Sequence, residues 1–163
     1  SKEGIIMAAK KYKKSIWLVG DLANTPLADQ SGHIILNLLS PANYMGFKRV
    51  LAPAGIVIKV VPGPNYLKEL REAFFMNKNM QTYDNDDTVS LFKQHFDLVD
   101  HSKLSYSKEL KQAELMNLVQ MSPLAWNANK EQMDTFMNQC SSEITVELDI
   151  LVGVNKHPKG DRE

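Results

Sequence analysis

Four short segments place chemically competent side chains beside breaks in the backbone pattern. In Val19-Gly20-Asp21-Leu22 an acid follows directly on an apolar run. In open α/β sheets ligands bind outside the carboxyl ends of strands, and a carboxylate there can accept a hydrogen bond from an adenine amino group. An acid that simply caps its own loop reads the same way. In Leu39-Ser40-Pro41-Ala42-Asn43-Tyr44 a proline holds the chain open at a second strand end. That backbone can line a pocket, and the Tyr44 ring can face a sulfonium; a plain strand-end turn is the competing reading. In Pro62-Gly63-Pro64-Asn65-Tyr66-Leu67 two prolines around a glycine fix a turn that presents Tyr66 at the same sheet edge, either to a ligand or to packing. In Gln120-Met121-Ser122-Pro123-Leu124-Ala125-Trp126 an indole sits on a helix-breaking loop. It can stack on a flipped base or close over the protein's own core.

These segments need elements to hold them. Residues 2–13 put Ile5, Ala8, Ala9 and Tyr12 on one helical face and most of the lysines on the other. Ser15 to Val19 reads as a short strand, residues 22–32 as a loop, and Ile34 to Leu39 as a strand buried on both faces. Residues 44–51 spell a short helix with Met45, Val50 and Leu51 inward. Ile56 to Val61 is rich in β-branched residues and is the clearest strand. A helix over 65–76, a polar loop over 77–87 and a short helix over 88–95 follow. Phe96 to Tyr106 reads as a strand, Ser107 as the cap of a helix running to about Gln120, and Asn129 as the start of another helix with Met133, Phe136 and Met137 inward. Glu143 to Val152 alternates as a strand with one wetter face, suited to a hairpin or sheet edge. Strand–helix alternation followed by a late antiparallel strand predicts an α/β fold with a mostly parallel sheet. Residues 1–154 read as one domain and 155–163 as a polar tail; the resemblance described below implies that the former is the C-terminal part of a methyltransferase catalytic domain.

Composition narrows the classes. The 163 residues suit one core, and a hydrophobic share of 44% is globular. Lys plus Arg equals Asp plus Glu, 19 each, so the chain has no strongly basic nucleic-acid footprint of its own. Cys140 is the lone cysteine, which leaves no internal disulfide framework and points to a reducing compartment, the cytoplasm. No apolar run reaches membrane-span length, so no membrane partner is expected. His33, His95, His101 and His157 lack metal-ligand spacing, and no glycine-rich phosphate loop is present.

Taken in order, the segments resemble the ribosomal RNA guanine-N1 methyltransferases of the large subunit. The resemblance is carried by Ser1-Lys2-Glu3-Gly4-Ile5 with Ala8 to Tyr12, Pro26-Leu27-Ala28-Asp29 and Val50 to Gly55. Pro62 to Leu67 and Leu118 to Trp126 complete it. It implies an incomplete Rossmann-like class I fold, a C-terminal piece whose zinc module, glycine-rich cofactor turn and ribose-binding acid would lie upstream. S-adenosylmethionine is the implied cofactor, zinc being expected only in that upstream module. 23S rRNA is the implied partner and N1 of a guanine the implied methyl acceptor. The piece alone is expected to be inactive. Asp21, Leu22, Ser40, Pro41 and Tyr66 fall on cofactor-side positions, and Trp126 and Tyr44 are the substrate-side candidates. Pro41-Ala42-Asn43-Tyr44 departs from the Asn-Pro-Pro-aromatic motif of exocyclic amino methyltransferases, which agrees with a ring-nitrogen target. No residue presents itself as catalytic base. A small-molecule methyltransferase of the same fold, or a non-catalytic protein-binding module, remains the alternative.

The resemblance also implies a sheet in which two strands lie between Ile16–Val19 and Ile34–Leu39. Without them the second strand is an open apolar edge. Either Ile16–Val19 moves over to pair with it, or two chains form a homodimer through the exposed edge.

Overall fold

A computed structural model describes residues 2–75 and 83–156. The strands are β1 (Gly32–Leu38), β2 (Leu51–Pro62), β3 (Phe96–Lys111) and β4 (Ser141–Asn155), in one sheet of order β1-β2-β4-β3. β1 and β2 run parallel, while β4 lies antiparallel to both β2 and β3. The helices are α1 (Lys2–Lys11), α2 (Tyr44–Val50), α3 (Lys68–Phe74), α4 (Asp86–His95), α5 (Gln112–Met121) and α6 (Lys130–Met137). Short 3-10 turns cover Leu22–Asn24 and Pro123–Asn127.

Cross-strand partners share a face, so the register sorts the side chains. One face carries Val57 of β2 and Leu151 and Gly153 of β4. Packed with it is the cluster of Tyr44, Phe47, Leu51, Val89, Phe92 and Phe96, supplied largely by α2 and α4. Position 153 must be glycine, because a Cβ there would stand 2.8 Å from the Phe92 ring. A second cluster joins Leu67, Leu70 and Phe74 to Leu115, Val119, Ala125, Phe136 and Ile144. It binds α3, α5, α6 and the Pro123–Asn127 turn to the start of β4.

Several expectations hold and several are corrected. β2, α2, α3 and α4 form where the pattern places them, and Asn129 caps α6 by accepting a 2.8 Å hydrogen bond from the Gln132 amide. Ser15–Val19 is not a strand, and Ile16 is 98% exposed. It joins no sheet: the Ser15 amide donates to the Tyr12 carbonyl (3.4 Å), and the loop that follows is tied to α2 and its cap through Asn43 and Arg49. β1 is therefore not buried on both faces: Ile34, Leu36 and Leu38 are 64%, 58% and 53% exposed. Met45 points outward, and Tyr44 and Phe47 take the inward positions of α2. Ser107 does not cap a helix. The ladder with β4 carries β3 on to Lys111, and α5 starts there, with the Glu114 carboxylate accepting the Lys111 amide at 2.9 Å. β4 is an inner strand rather than an edge, and its supposedly wetter face holds the buried Asp149 and Leu151. The polar loop expected over 77–87 lies mostly outside the described residues, as does the tail beyond Lys156, while Asn155 still belongs to β4. Among the described residues no helix is long and apolar enough to cross a membrane.

Candidate functional site

The parallel strands β1 and β2 end together, and the chain leaves both ends through rigid turns. At the end of β1, Leu39 adopts a left-handed conformation (φ 47°), which turns the chain sharply into Ser40-Pro41. Two buried polar side chains hold that turn from beneath. The Asn37 amide donates to Ser40 Oγ (2.7 Å) and to the Pro41 carbonyl (3.0 Å). The Lys59 ammonium donates to Asn37 Oδ1 (2.6 Å) and to the Ser40 carbonyl (3.2 Å). Burial lowers the Lys59 pKa, and the oxygens around its head explain why the strand tolerates a lysine there.

At the end of β2 the Pro62-Gly63-Pro64 turn lies against β4. The Gly63 amide donates to the Glu147 carbonyl (2.8 Å), and a Cβ at position 63 would strike the Glu147 side chain at 2.8 Å. Arg71 of α3 is buried, and its guanidinium donates to the carbonyls of Pro64 and Tyr66. It also lies 5.9 Å from the centroid of the Tyr83 ring. A planar fork suits this double carbonyl clamp better than a point charge does. On β4, Asp149 accepts from Asn85 (2.7 Å) and His101 (2.7 Å), and Asn85 in turn donates to the Pro62 carbonyl (2.8 Å).

Two cavities of about 360 Å³ each open at these turns. Leu39, Pro62 and Tyr83 line both, so they are neighbours across a shared wall. The first adds Ser40, Pro41, Ala42 and Tyr44; the second adds Tyr66, Arg71, Leu118 and Leu124. The structure thus brings Ser40, Pro41, Tyr44 and Tyr66 to one place. Tyr44 contributes only an edge, since its ring is 7% exposed and packs among Phe47, Phe92, His95 and Phe96. Burial raises the Tyr66 pKa, with Tyr106 adding to the effect, so its phenol stays neutral.

Asp21, Leu22 and Trp126 lie outside both cavity walls. Asp21 caps the Leu22–Asn24 turn through the Ala23 amide at 2.9 Å. Leu22 is exposed, and its carbonyl accepts from Asn43 at the head of α2 (3.2 Å). Trp126 is 79% exposed, although Met121 to Leu124 of the same segment line the second cavity. Arg49 fixes the loop that carries Asp21 and Leu22. Its guanidinium donates to the carbonyls of Thr25 (2.9 Å) and Leu27 (2.7 Å) and pairs with Asp29 (2.6 Å). Arg49→Ala is expected to change global stability by less than about 1 kcal/mol, because the ion pair is solvent-exposed. The same variant should speed amide exchange across residues 22–30, and unchanged exchange there would assign the loop's order to other contacts.

Asn37, Lys59, Arg71, Tyr83 and Asp149 were not singled out by sequence reasoning. For Asn37 and Lys59 a signal existed: each is the lone polar residue in an otherwise apolar strand run, and a buried polar group needs partners.

No family model matches the sequence. A candidate 23S rRNA (guanine-N1)-methyltransferase of Bacillus subtilis is 38% identical over 94% of this chain and 55% of its own length. Over nearly all of its own length the chain is thus similar to a protein named as a 23S rRNA (guanine-N1)-methyltransferase. The Streptomyces fradiae 23S rRNA (guanine(748)-N(1))-methyltransferase is 25% identical over 82% of this chain and 48% of its own. The chain thus spans about half the length of the curated relatives it matches. Among solved structures, the MccD protein superposes with a TM-score of 0.57 at 14% identity, over 96% of this chain and 77% of that one. A candidate methyltransferase of Bacillus halodurans gives 0.51 at 13%, over 93% and 78%. The fold is of the class I methyltransferase type, with an α/β architecture and a mixed sheet.

Proposed function

We propose that this chain forms the acceptor-side half of an S-adenosylmethionine-dependent methyltransferase that modifies N1 of a guanine in 23S rRNA, acting in the cytoplasm. The observation that carries the reading is the pair of cavities at the ends of β1 and β2, in a chain related to rRNA guanine-N1 methyltransferases. Methyl transfer from a sulfonium is an in-line displacement, so donor and acceptor must lie side by side, and two cavities with a common wall satisfy that geometry. When bound, the cofactor supplies the electrophilic methyl group.

The cofactor-side cavity offers the Ser40-Pro41 turn and the Tyr44 edge, and the Asn37–Lys59 pair keeps that turn rigid. Asp21 and Leu22 sit on the Arg49-anchored loop beside it. The second cavity offers the Tyr66 ring and the Leu118 and Leu124 side chains as faces for an extruded base, while Trp126 presents an exposed indole for a flanking one. Guanine N1 must lose its proton on methylation. Tyr66 and Tyr83 both have raised pKa values and are not bases at neutral pH, so the chain's role is to position and desolvate. Among the described residues no group of three or more His, Cys, Asp or Glu could hold a metal ion.

Tyr66→Ala in the complete enzyme tests the reading. Methyl transfer to a 23S rRNA hairpin should fall by about 10-fold or more in kcat/KM at limiting cofactor, with the melting temperature nearly unchanged because Tyr66 is only half-buried. Full activity would reduce Tyr66 to a packing residue. Methylation of small molecules in place of rRNA would favour the alternative substrate class. This chain alone, holding part of one binding wall, is expected to bind S-adenosylmethionine no tighter than about millimolar, since ligand immobilisation alone costs several kcal/mol. A micromolar constant by calorimetry would show the site to be elsewhere.

A further inference from the structure

Among the described residues three that are not glycine adopt a positive φ: Gln30 (53°), Leu39 (47°) and Leu67 (50°). Two of them stand at the cavities, Leu39 in the walls of both and Leu67 in the wall of the second. That conformation crowds the Cβ of an L-residue against its own backbone, and it persists only where the surroundings enforce it. At Leu39 the enforcement comes from both sides. Its amide donates to the Val60 carbonyl (3.0 Å), and the Ser40-Pro41 turn after it is pinned by Asn37 and Lys59. Core burial does not account for the leucine, which is 47% exposed. Glycine or asparagine would make the same turn without the crowding. The strained backbone instead stands an apolar side chain in the wall that the two cavities share. The other two residues of that wall are held by partners: Pro62 through the Asn85 amide on its carbonyl, and Tyr83 by the Arg71 guanidinium beside its ring.

Guanine offers a methyl donor more than one nucleophile. N7 has an in-plane lone pair in the neutral base, whereas N1 carries a proton and must lose it. Methylation at N7 forms one N–C bond, breaks the S–C bond of the sulfonium with its electron pair going to sulfur, and leaves the positive charge on the purine. Methylation at N1 makes and breaks the same kinds of bond and in addition releases the N1 proton to water. Intrinsic reactivity favours N7, so an enzyme that modifies N1 must present that edge and hold N7 away from the donor. The wall between the two cavities is where that choice can be made. We propose that Leu39 is a specificity-determining residue for the N1 edge: with Pro62 and Tyr83 its side chain closes the space into which the purine would turn N7 toward the sulfonium. The inference deepens the functional reading above and rests on it.

This chain alone reports the strain. Alanine and glycine at position 39 remove nearly the same side chain, but only glycine is at ease at a φ of 47°. Leu39→Gly is therefore expected to melt about 3 °C above Leu39→Ala, the reverse of the order at an ordinary position. An alanine variant that melts as high as the glycine variant overturns the inference, because leucine is then not held there under strain. In the complete enzyme, the wild type should give 1-methylguanosine in a 23S rRNA hairpin. Leu39→Gly and Leu39→Ala should give 7-methylguanosine as well, with the preference for N1 over N7 reduced about 10-fold or more. Chromatography of the digested nucleosides separates these isomers of equal mass. Partial unfolding lowers both products together and leaves their ratio unchanged, so the ratio reports the wall. Leu39→Met, which conserves volume, should keep the wild-type product. A glycine or alanine variant that yields 1-methylguanosine alone, or no product, overturns the inference while the wild-type activity upholds the functional reading. A wild type that methylates no guanine N1 sinks that reading and this inference with it.

Discussion

Asp149→Ala is expected to lower the unfolding free energy by about 3 kcal/mol, read as a shift of the urea midpoint. Asp149 is 2% exposed on the central strand. Burial by itself would raise its pKa. The hydrogen bonds from Asn85 and His101, with the charges of Lys103 and His101, outweigh burial and hold the carboxyl below the ordinary value of 3.8. Removing it strands the amide of Asn85, which is itself buried, and frees His101 at the same time. Most of the loss comes from those unsatisfied partners, since Lys103 lies 3.7 Å away and is largely in water.

The sign with pH follows from the depressed folded-state pKa. The contribution is complete above the unfolded-state value near 3.8 and disappears as pH falls through the lower, folded-state value. The wild-type chain should therefore lose stability steeply on acidification below about pH 4, and Asp149→Ala should flatten that limb. Equal acid sensitivity in both proteins would place the controlling carboxylate elsewhere. The substitution should also reach the site, because Asn85 ties Asp149 to the Pro62 carbonyl, and Pro62 lines both cavities.

Arg71→Met should produce the second large effect. Methionine keeps most of the apolar stem and removes the donors, so the carbonyls of Pro64 and Tyr66 lose their clamp. Stability should drop by about 2 kcal/mol. The larger consequence is positional. Leu67, the next residue, sits in a left-handed conformation (φ 50°) that only its surroundings enforce, with its amide bonded to the Thr145 carbonyl at 2.9 Å. Releasing the turn before it lets Tyr66 shift, and a misplacement of about 1 Å can cost about 100-fold in a positioned reaction. In the complete enzyme kcat/KM should fall by about that factor. Arg71→Lys should recover only part of it, since one ammonium cannot span both carbonyls with fixed geometry. Full rescue by lysine would mean that charge, not the fork, is what matters at position 71.

The elements whose own residues dictate their form were legible in the sequence. The β-branched run Ile56–Val61 could only be a well-buried strand, and the reciprocal Asn129–Gln132 hydrogen bonds follow from a capping pair three residues apart. The strand-end turns at Ser40-Pro41 and Pro62–Leu67 were readable because proline and glycine restrict the backbone wherever they occur. Features that depend on neighbours were not legible. Ile16–Val19 and Ile34–Leu39 have the composition of inner strands, yet whether they are inner depends on what lies beside them. Ser107 looks like a helix cap, but the ladder to β4 pairs it with Thr145 and overrides local preference. Arg71 sits on a helix where an exposed arginine would be ordinary, and only the bend of Pro62–Leu67 over α3 turns it inward. Trp126 carries no such signal in either direction.

The placement of β4 governs how the molecule can be made. β2 and β3 never touch as ladder partners, and each bonds to β4, the last of these strands to be synthesised. A nascent chain that has emerged only as far as α6 can join β1 to β2 and pack α2 and α4, but it cannot close the sheet. Until residues 141–155 arrive, two strands wait with unpaired edges, and the pairings that complete them span up to 98 positions between Ile56 and Val154. Contacts so distant in sequence close slowly. Synthesis that halts before Ser141 therefore leaves the β1–β2 pair and an unpaired β3 with no strand to join them, a species that exposes strand edges and is prone to aggregate.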